Sequence, residues 1–128
     1  MQTTSRDWIA LAGRILMSAI FIHGGVMKAL APAATMGYLA KQGLPMLGAA
    51  YALTLMVEIG VGVLFLVGFK ARLTALILAV WCIATGMVAH YHPESREQMI
   101  HFFKNVGMAG GFLQVVAYGA GRLSIDRG

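Results

Sequence analysis

The chain has 128 residues, of which 59% are hydrophobic and only 12% are charged. In a soluble domain roughly a quarter of all residues are charged, so this composition excludes an ordinary soluble protein. The lipid bilayer is the expected partner. The net charge is +5, but the lysines and arginines form no basic cluster, so no nucleic-acid partner is expected. The single cysteine, Cys82, excludes both an intrachain disulfide and a thiol-pair redox centre.

Four apolar segments follow one another along the chain, at about residues 8–31, 47–69, 71–90 and 100–121. Each has about the 20 residues that a helix needs to cross a bilayer core. Their continuous apolar runs are typical of lipid-immersed helices rather than of alternating barrel strands. The sequence therefore predicts an all-α fold with a single domain over residues 1–128. We expect an integral membrane four-helix bundle with up-down-up-down topology and both termini on the same side.

The loop between the first two segments, residues 32–45, is moderately amphipathic and is compatible with a short interfacial helix. Lysines and arginines near the segment ends orient the chain in the membrane. The side with the termini holds Arg6, Lys70, Arg72, Arg122 and Arg127; the other side holds Lys41 and Arg96, with Lys28 and Lys104 near the boundary. The positive-inside rule therefore predicts that the N- and C-termini are cytoplasmic.

Charged residues within the apolar segments are the first candidates for function, because each is costly in lipid and must face the bundle interior or a wet cavity. Glu58 lies at the middle of the second segment, and Arg14 lies near the cytoplasmic end of the first. An extended guanidinium can cover the depth offset of about 7 Å between them, so we predict that Arg14 pairs with Glu58. Lys28 lies on the same helix face as Arg14. Such a pair could form a binding site or could only hold two helices in register.

Polar residues of the fourth segment and of the loop before it are weaker candidates. Asn105 could bond across to Glu58 or to a free backbone group, and Lys104 is expected to extend towards the lipid headgroups. His90, His92 and His101 could supply three imidazoles to zinc, but they have no cysteine partner. No metal site is therefore predicted, and these three histidines stand as weak candidates only.

Several short motifs, in a fixed order over nearly the whole chain, resemble the DoxX family. They are Arg14 near the start of the first segment, Gly24-Gly25-Val26-Met27-Lys28 at its end, Gly43-Leu44-Pro45, Glu58, the Gly68-x3-Arg72 turn, and a fourth segment that runs from Asn105 to Gly119-Ala-Gly-Arg-Leu-Ser-Ile-Asp126. The family comprises small bacterial and archaeal inner-membrane proteins with a four-helix core. They are similar to the DoxD subunit of a thiosulfate:quinone oxidoreductase.

The resemblance implies a location in the bacterial inner membrane and a redox association with a quinone as the ligand. The positions that fit the family pattern are Arg14, Gly25, Lys28, Glu58, Gly68, Arg72 and Asn105. On this interpretation the protein is a membrane subunit whose buried polar pocket, formed by Arg14, Lys28, Glu58 and Asn105, takes a quinone head group or a small anion. Its partners would be further copies of the chain or other membrane or redox subunits. The alternative is a non-catalytic scaffold or small-molecule carrier whose buried charges are structural, and the sequence leaves open whether the protein is an enzyme.

Overall fold

The computed structural model describes residues 3–128, and within them the regular elements are all helices. Five helices follow in chain order, with bounds α1 Ser5–Leu30, α2 Pro32–Lys41, α3 Leu47–Val67, α4 Ala71–His90 and α5 Arg96–Tyr118. Two of them contain a π-helical segment, Met56–Val61 within α3 and Gly86–His90 at the end of α4. The predicted all-α fold is confirmed.

Three helices, α1, α3 and α4, are long and apolar enough to cross a membrane. Helix α5 has 23 residues, but it does not qualify by the same measure, because His101, Lys104, Asn105 and Gln114 make it more polar. Large apolar side chains cover much of the exposed surface, as with Leu16, which is 75% exposed. Such a surface suits contact with lipid tails rather than with water.

The predicted interfacial stretch contains helix α2. Pro32 occupies its first turn. The N–H groups there have no acceptor within the helix, so the N–H that proline lacks costs no hydrogen bond. The helix ends just before Gly43, whose φ of +77° lies in the left-handed region that favours glycine. Thr35 and Leu39 are buried on the inner side of α2, so the helix lies over the rest of the molecule.

Contacts at one end of the molecule show how the helices are directed. Arg14, in the first half of α1, donates a hydrogen bond to the carbonyl of Leu66 near the end of α3. The carboxylate of Asp126, which follows α5, accepts from the backbone N–H groups of Lys70 and Ala71 at the start of α4, at 2.8 and 2.6 Å. The start of α1, the end of α3, the start of α4 and the segment after α5 therefore meet at one end.

The opposite end brings together the complementary helix ends. Tyr51, near the start of α3, donates a hydrogen bond of 3.0 Å to the carbonyl of Lys28 near the end of α1. His90, at the end of α4, lies 2.8 Å from the side-chain oxygen of Gln98 near the start of α5. Helices α1 and α3 are therefore antiparallel, and so are α4 and α5.

The hydrophobic core lies among α3, α4 and α5. Phe65, Leu78 and Phe112 are fully buried, and the rings of Phe65 and Phe112 meet edge to face at 5.1 Å. Buried alanines, among them Ala75 and Ala109, allow close approach of α4 and α5. This close packing holds in place the helix surfaces that carry the polar residues described next.

Candidate functional site

The mid-span carboxylate of Glu58 lies in the π-helical segment of α3. The second π-helical segment lies at the end of α4, and its residues Val88 and His90 line a cavity that Glu58 also lines. A π-helical turn changes the hydrogen-bond spacing from four residues to five, and such turns occur often at functional sites. The two irregular segments of the long helices therefore occur together, beside the most unusual charge in the molecule.

Glu58 is paired with Lys28. The ammonium nitrogen of Lys28 lies 2.7 and 2.9 Å from the two carboxylate oxygens of Glu58. The indole N–H of Trp81 donates a third hydrogen bond to the same carboxylate, at 3.2 Å. The side chain of Glu58 is 8% exposed and that of Lys28 is 38% exposed. The carboxylate is thus tolerated in mid-span by a cation and an indole donor, while the cation keeps an open side.

A glycine allows this pair to form. A Cβ atom added to Gly25 would lie 2.6 Å from Cγ1 of Ile59 and 3.1 Å from Cβ of Glu58. Helix α1 therefore lies with its backbone directly against the π-helical segment. Lys28 is three residues further along α1, on the same face, so its side chain reaches Glu58.

A cavity of about 440 Å³ lies beside the ion pair. Its lining is largely apolar, and every helix contributes to it, including α2 through Thr35, Tyr38 and Leu39. Lys28 and Glu58 are among its polar lining residues. The volume falls within the range of about 300–1,000 Å³ that is common for small-molecule sites.

Asn105 reaches the same cavity from α5. Its side-chain nitrogen donates to the carbonyl of Cys82 at 3.3 Å and to the hydroxyl of Thr85 at 3.4 Å. A Cβ atom added to Gly86 would lie 3.3 Å from Cβ of Asn105, so this glycine gives the amide room. Of the two partners predicted for Asn105, the structure therefore shows a backbone carbonyl rather than Glu58.

Arg14 does not pair with Glu58, and that prediction is wrong. The guanidinium is 2% exposed and donates to the backbone carbonyls of Leu66, Ala120 and Leu123. Two facts explain the error. Glu58 packs at the level of Gly25, eleven residues from Arg14 and thus about 16 Å along the α1 axis. In addition, the segment after α5 folds back and places its own carbonyl groups around Arg14.

Of the four predicted pocket residues, Lys28, Glu58 and Asn105 line one cavity in the structure, and Arg14 lies elsewhere.

The three histidines do not converge. The rings of His90 and His101 lie 5.4 Å apart, but His92 contacts Glu94 instead, at 3.4 Å. Among residues 3–128 there is no group of three or more His, Cys, Asp or Glu side chains that could hold a metal ion.

Trp81 is the contact that sequence reasoning missed. Its indole N–H lies within the apolar run of α4, where a buried donor needs an acceptor. The only acidic residue at a comparable depth is Glu58, so the need for an acceptor could have pointed to this contact.

Together, the all-α architecture, the helices able to span a bilayer and the apolar surface define an integral membrane protein. The sequence profile of the DoxX family matches residues 9–91, and the chain belongs to this family. The chain is 36% identical to inner membrane protein YqjF of Escherichia coli (strain K12). That alignment spans 117 residues and covers 91% of this chain and 88% of that protein. It is also 30% identical, over an alignment of 128 residues, to inner membrane protein YphA of the same organism, with 96% and 91% coverage. No solved structure gives a significant match.

Proposed function

We propose that this protein is an inner-membrane subunit that binds a quinone head group in the cavity beside Lys28 and Glu58 and so takes part in redox chemistry. One observation carries the proposal: a buried ion pair with an open side faces a largely apolar cavity of about 440 Å³. Membrane proteins tolerate mid-span charges mainly where they serve a pathway or a ligand.

The residues of the cavity fit such a head group. The ammonium of Lys28 is 38% exposed and has a remaining N–H that can donate to a ligand carbonyl. The amide nitrogen of Asn105 is engaged with the chain, which leaves its oxygen to accept from a ligand hydroxyl. Apolar side chains line the rest of the space, as a planar ring requires.

A quinone supplies two-electron redox chemistry that is coupled to proton transfer. In this proposal Glu58 takes or returns the proton, and Lys28 stabilises its carboxylate through hydrogen bonds of 2.7 and 2.9 Å. The electron donor in this proposal is another membrane or redox subunit. Further copies of the chain are the other partner to be tested.

The proposed topology has four spans in an up-down-up-down bundle, with α5 as the fourth. It is supported by the antiparallel contacts of α4 with α5, including the His90–Gln98 contact of 2.8 Å. The bias of lysine and arginine towards the end that holds the termini supports a bacterial inner-membrane protein with both termini in the cytoplasm.

Tryptophan fluorescence tests the binding proposal directly. A Trp8→Phe variant leaves Trp81, which lines the cavity, as the only tryptophan. Titration with decylubiquinone should quench it in a saturable way. Adding Glu58→Gln or Lys28→Met to this variant should weaken the apparent affinity about tenfold, the equivalent of roughly 1.4 kcal/mol.

The matched control is Trp81→Phe, which leaves Trp8 at the start of α1, 60% exposed. This variant should show only the linear quenching that comes from partition into detergent. Equal quenching of the two single-tryptophan proteins would contradict the proposal.

The alternative is a non-catalytic scaffold or carrier whose buried charges are structural. It is favoured by the fact that Glu58 already receives hydrogen bonds from Lys28 and Trp81. It predicts that Glu58→Gln lowers the unfolding temperature and leaves the quenching titration unchanged.

A further inference from the structure

We propose that the outward face at the start of α5 binds the headgroup of an anionic phospholipid. A groove of about 560 Å³ lies on this face, on the outer side of α5 and apart from the cavity beside Glu58. It is lined by Pro93, Arg96, Met99, Ile100, Phe103 and Lys104. No residue of this groove belongs to the proposed quinone site, so the two proposals can fail separately.

The spacing of the groove residues places them on one side of the helix. From Arg96, the next lining positions on α5 follow after three, four, seven and eight residues, which is the repeat of one helical face. The face begins and ends with a cation. Between the cations lie Ile100 and Phe103, which are 47% and 62% exposed. The face therefore presents apolar contact area with a positive charge at each end.

Neither cation forms an ion pair within the described chain, although the acidic residue Glu97 follows Arg96 directly in the first turn of α5. Among residues 3–128, the side chains of Arg96 and Lys104 have no hydrogen-bond or ion-pair partner. The nearest acidic residue before the helix, Glu94, contacts His92 instead. A cation at a membrane surface gains about 1 kcal/mol from anionic lipid, so a phosphate is the complementary partner.

The expected direction of the two cationic side chains places both charges near the same layer of lipid headgroups. The eight-residue separation of Arg96 and Lys104 corresponds to about 12 Å along the helix axis. Side chains on a helix lean towards its N-terminus, so the stem of Lys104 leads towards Arg96. Ile100 and Phe103 are then left to contact the acyl chains. The same face stays open one turn beyond Lys104, since nothing lies within 4 Å of a Cβ added to Gly107.

This arrangement also explains how the most polar long helix can lie against lipid. Helix α5 is the long helix that does not qualify as a span by apolarity. With the charge of Lys104 directed to a phosphate, the next two turns of the helix expose only apolar or small residues, as at Val106 and Gly107, and the next exposed polar side chain is Gln114. The lipid phosphate would thus neutralise the charge of Lys104, which has no ion-pair partner on α5.

A lipid titration tests the site. The purified protein in detergent is titrated with phosphatidylglycerol, and the unfolding temperature is followed. We expect a saturable rise that phosphatidylcholine does not produce. Arg96→Gln and Lys104→Gln should each weaken the apparent affinity for phosphatidylglycerol roughly fivefold, the equivalent of about 1 kcal/mol.

The matched control is Lys41→Gln, which removes an exposed cation at the end of α2, at the same end of the molecule. It should leave the titration unchanged. Three results would overturn the proposal: an equal loss in the control, an equal rise with phosphatidylcholine, or an equal rise with inorganic phosphate. Cysteine crosslinking between two copies at Phe103 that persists in excess phosphatidylglycerol would identify a second copy as the occupant and would also overturn it.

Discussion

Helix α1 carries two basic side chains, Arg14 and Lys28, into the protein interior, and their surroundings differ. Arg14 is 2% exposed and donates to three backbone carbonyls. The side chain of Lys28 is 38% exposed, contacts one carboxylate and borders a cavity. Arg14, whose three guanidinium nitrogens each donate to a backbone carbonyl and which is closed to solvent, has no accessible donor for a ligand. A buried pair with an open side does, and this makes Lys28–Glu58 the candidate site.

The surroundings of Arg14 show what the first kind of charge does. The segment after α5 pairs with the end of α3, through hydrogen bonds from Ile125 to Val67 and from Asp126 to Gly68, at 2.9 and 3.0 Å. Arg14 joins α1 to both of these parts of the chain. It is therefore a structural connection between three segments, whereas Lys28 connects two helices beside an open space.

Arg14→Met should produce the largest loss of stability in the molecule. The change leaves three carbonyl groups without their charged donor, and we expect a loss of about 3–5 kcal/mol in the free energy of unfolding. Thermal or chemical unfolding in detergent measures it. Arg6→Met is the control, because Arg6 lies exposed on the same helix. Equal stabilities of the two variants would contradict the structural role of Arg14.

Glu58→Gln should cost less, about 2 kcal/mol, because the open side of Lys28 allows water to solvate the unpaired cation. The double variant Glu58→Gln with Lys28→Met should recover part of that loss, since it removes the unpaired charge as well. A double-mutant cycle of unfolding free energies measures the coupling. Strictly additive losses would show that the two side chains do not stabilise each other.

The segments and the fold class could be predicted from the sequence because they depend on local apolar runs. The predicted segment 47–69 corresponds to Leu47–Val67, and 71–90 corresponds to Ala71–His90. The pairing of charges could not be predicted in the same way. It depends on the relative depth of α1 and α3, which the contact of Gly25 with Glu58 and Ile59 determines.

The contacts of Arg14 escaped prediction for a different reason. Its partners Ala120 and Leu123 lie more than a hundred positions away, and they contribute backbone oxygens. Every residue has a backbone carbonyl, so composition carries no signal for such a contact. For Asn105, one of the two predicted partners, a backbone group, agrees with the structure. An amide between membrane helices usually bonds to a free backbone group or to another polar side chain.

Gly25→Ala should separate packing from charge at the candidate site. The added methyl would overlap Cγ1 of Ile59 at 2.6 Å, and we expect a loss of about 1–2 kcal/mol from overpacking. Gly24→Ala is the matched control, since its nearest contact would be an ordinary 3.7 Å. Unfolding temperatures of the two variants provide the comparison, and a loss for Gly24→Ala as large as that for Gly25→Ala would refute the close approach.

The smallest expected changes distinguish the two regions most sharply. Trp81→Phe removes the 3.2 Å hydrogen bond to Glu58, and Asp126→Ala removes the acceptor at the start of α4. Each should cost about 1 kcal/mol of stability. If decylubiquinone binds as proposed, it should raise the unfolding temperature, and only Trp81→Phe should also reduce that rise. Trp81 orients the carboxylate at the cavity, whereas Asp126 lies at the other end. If Asp126→Ala reduced that rise equally, ligand stabilisation would follow global stability, and the distinction between a structural and a ligand-facing charge would fail.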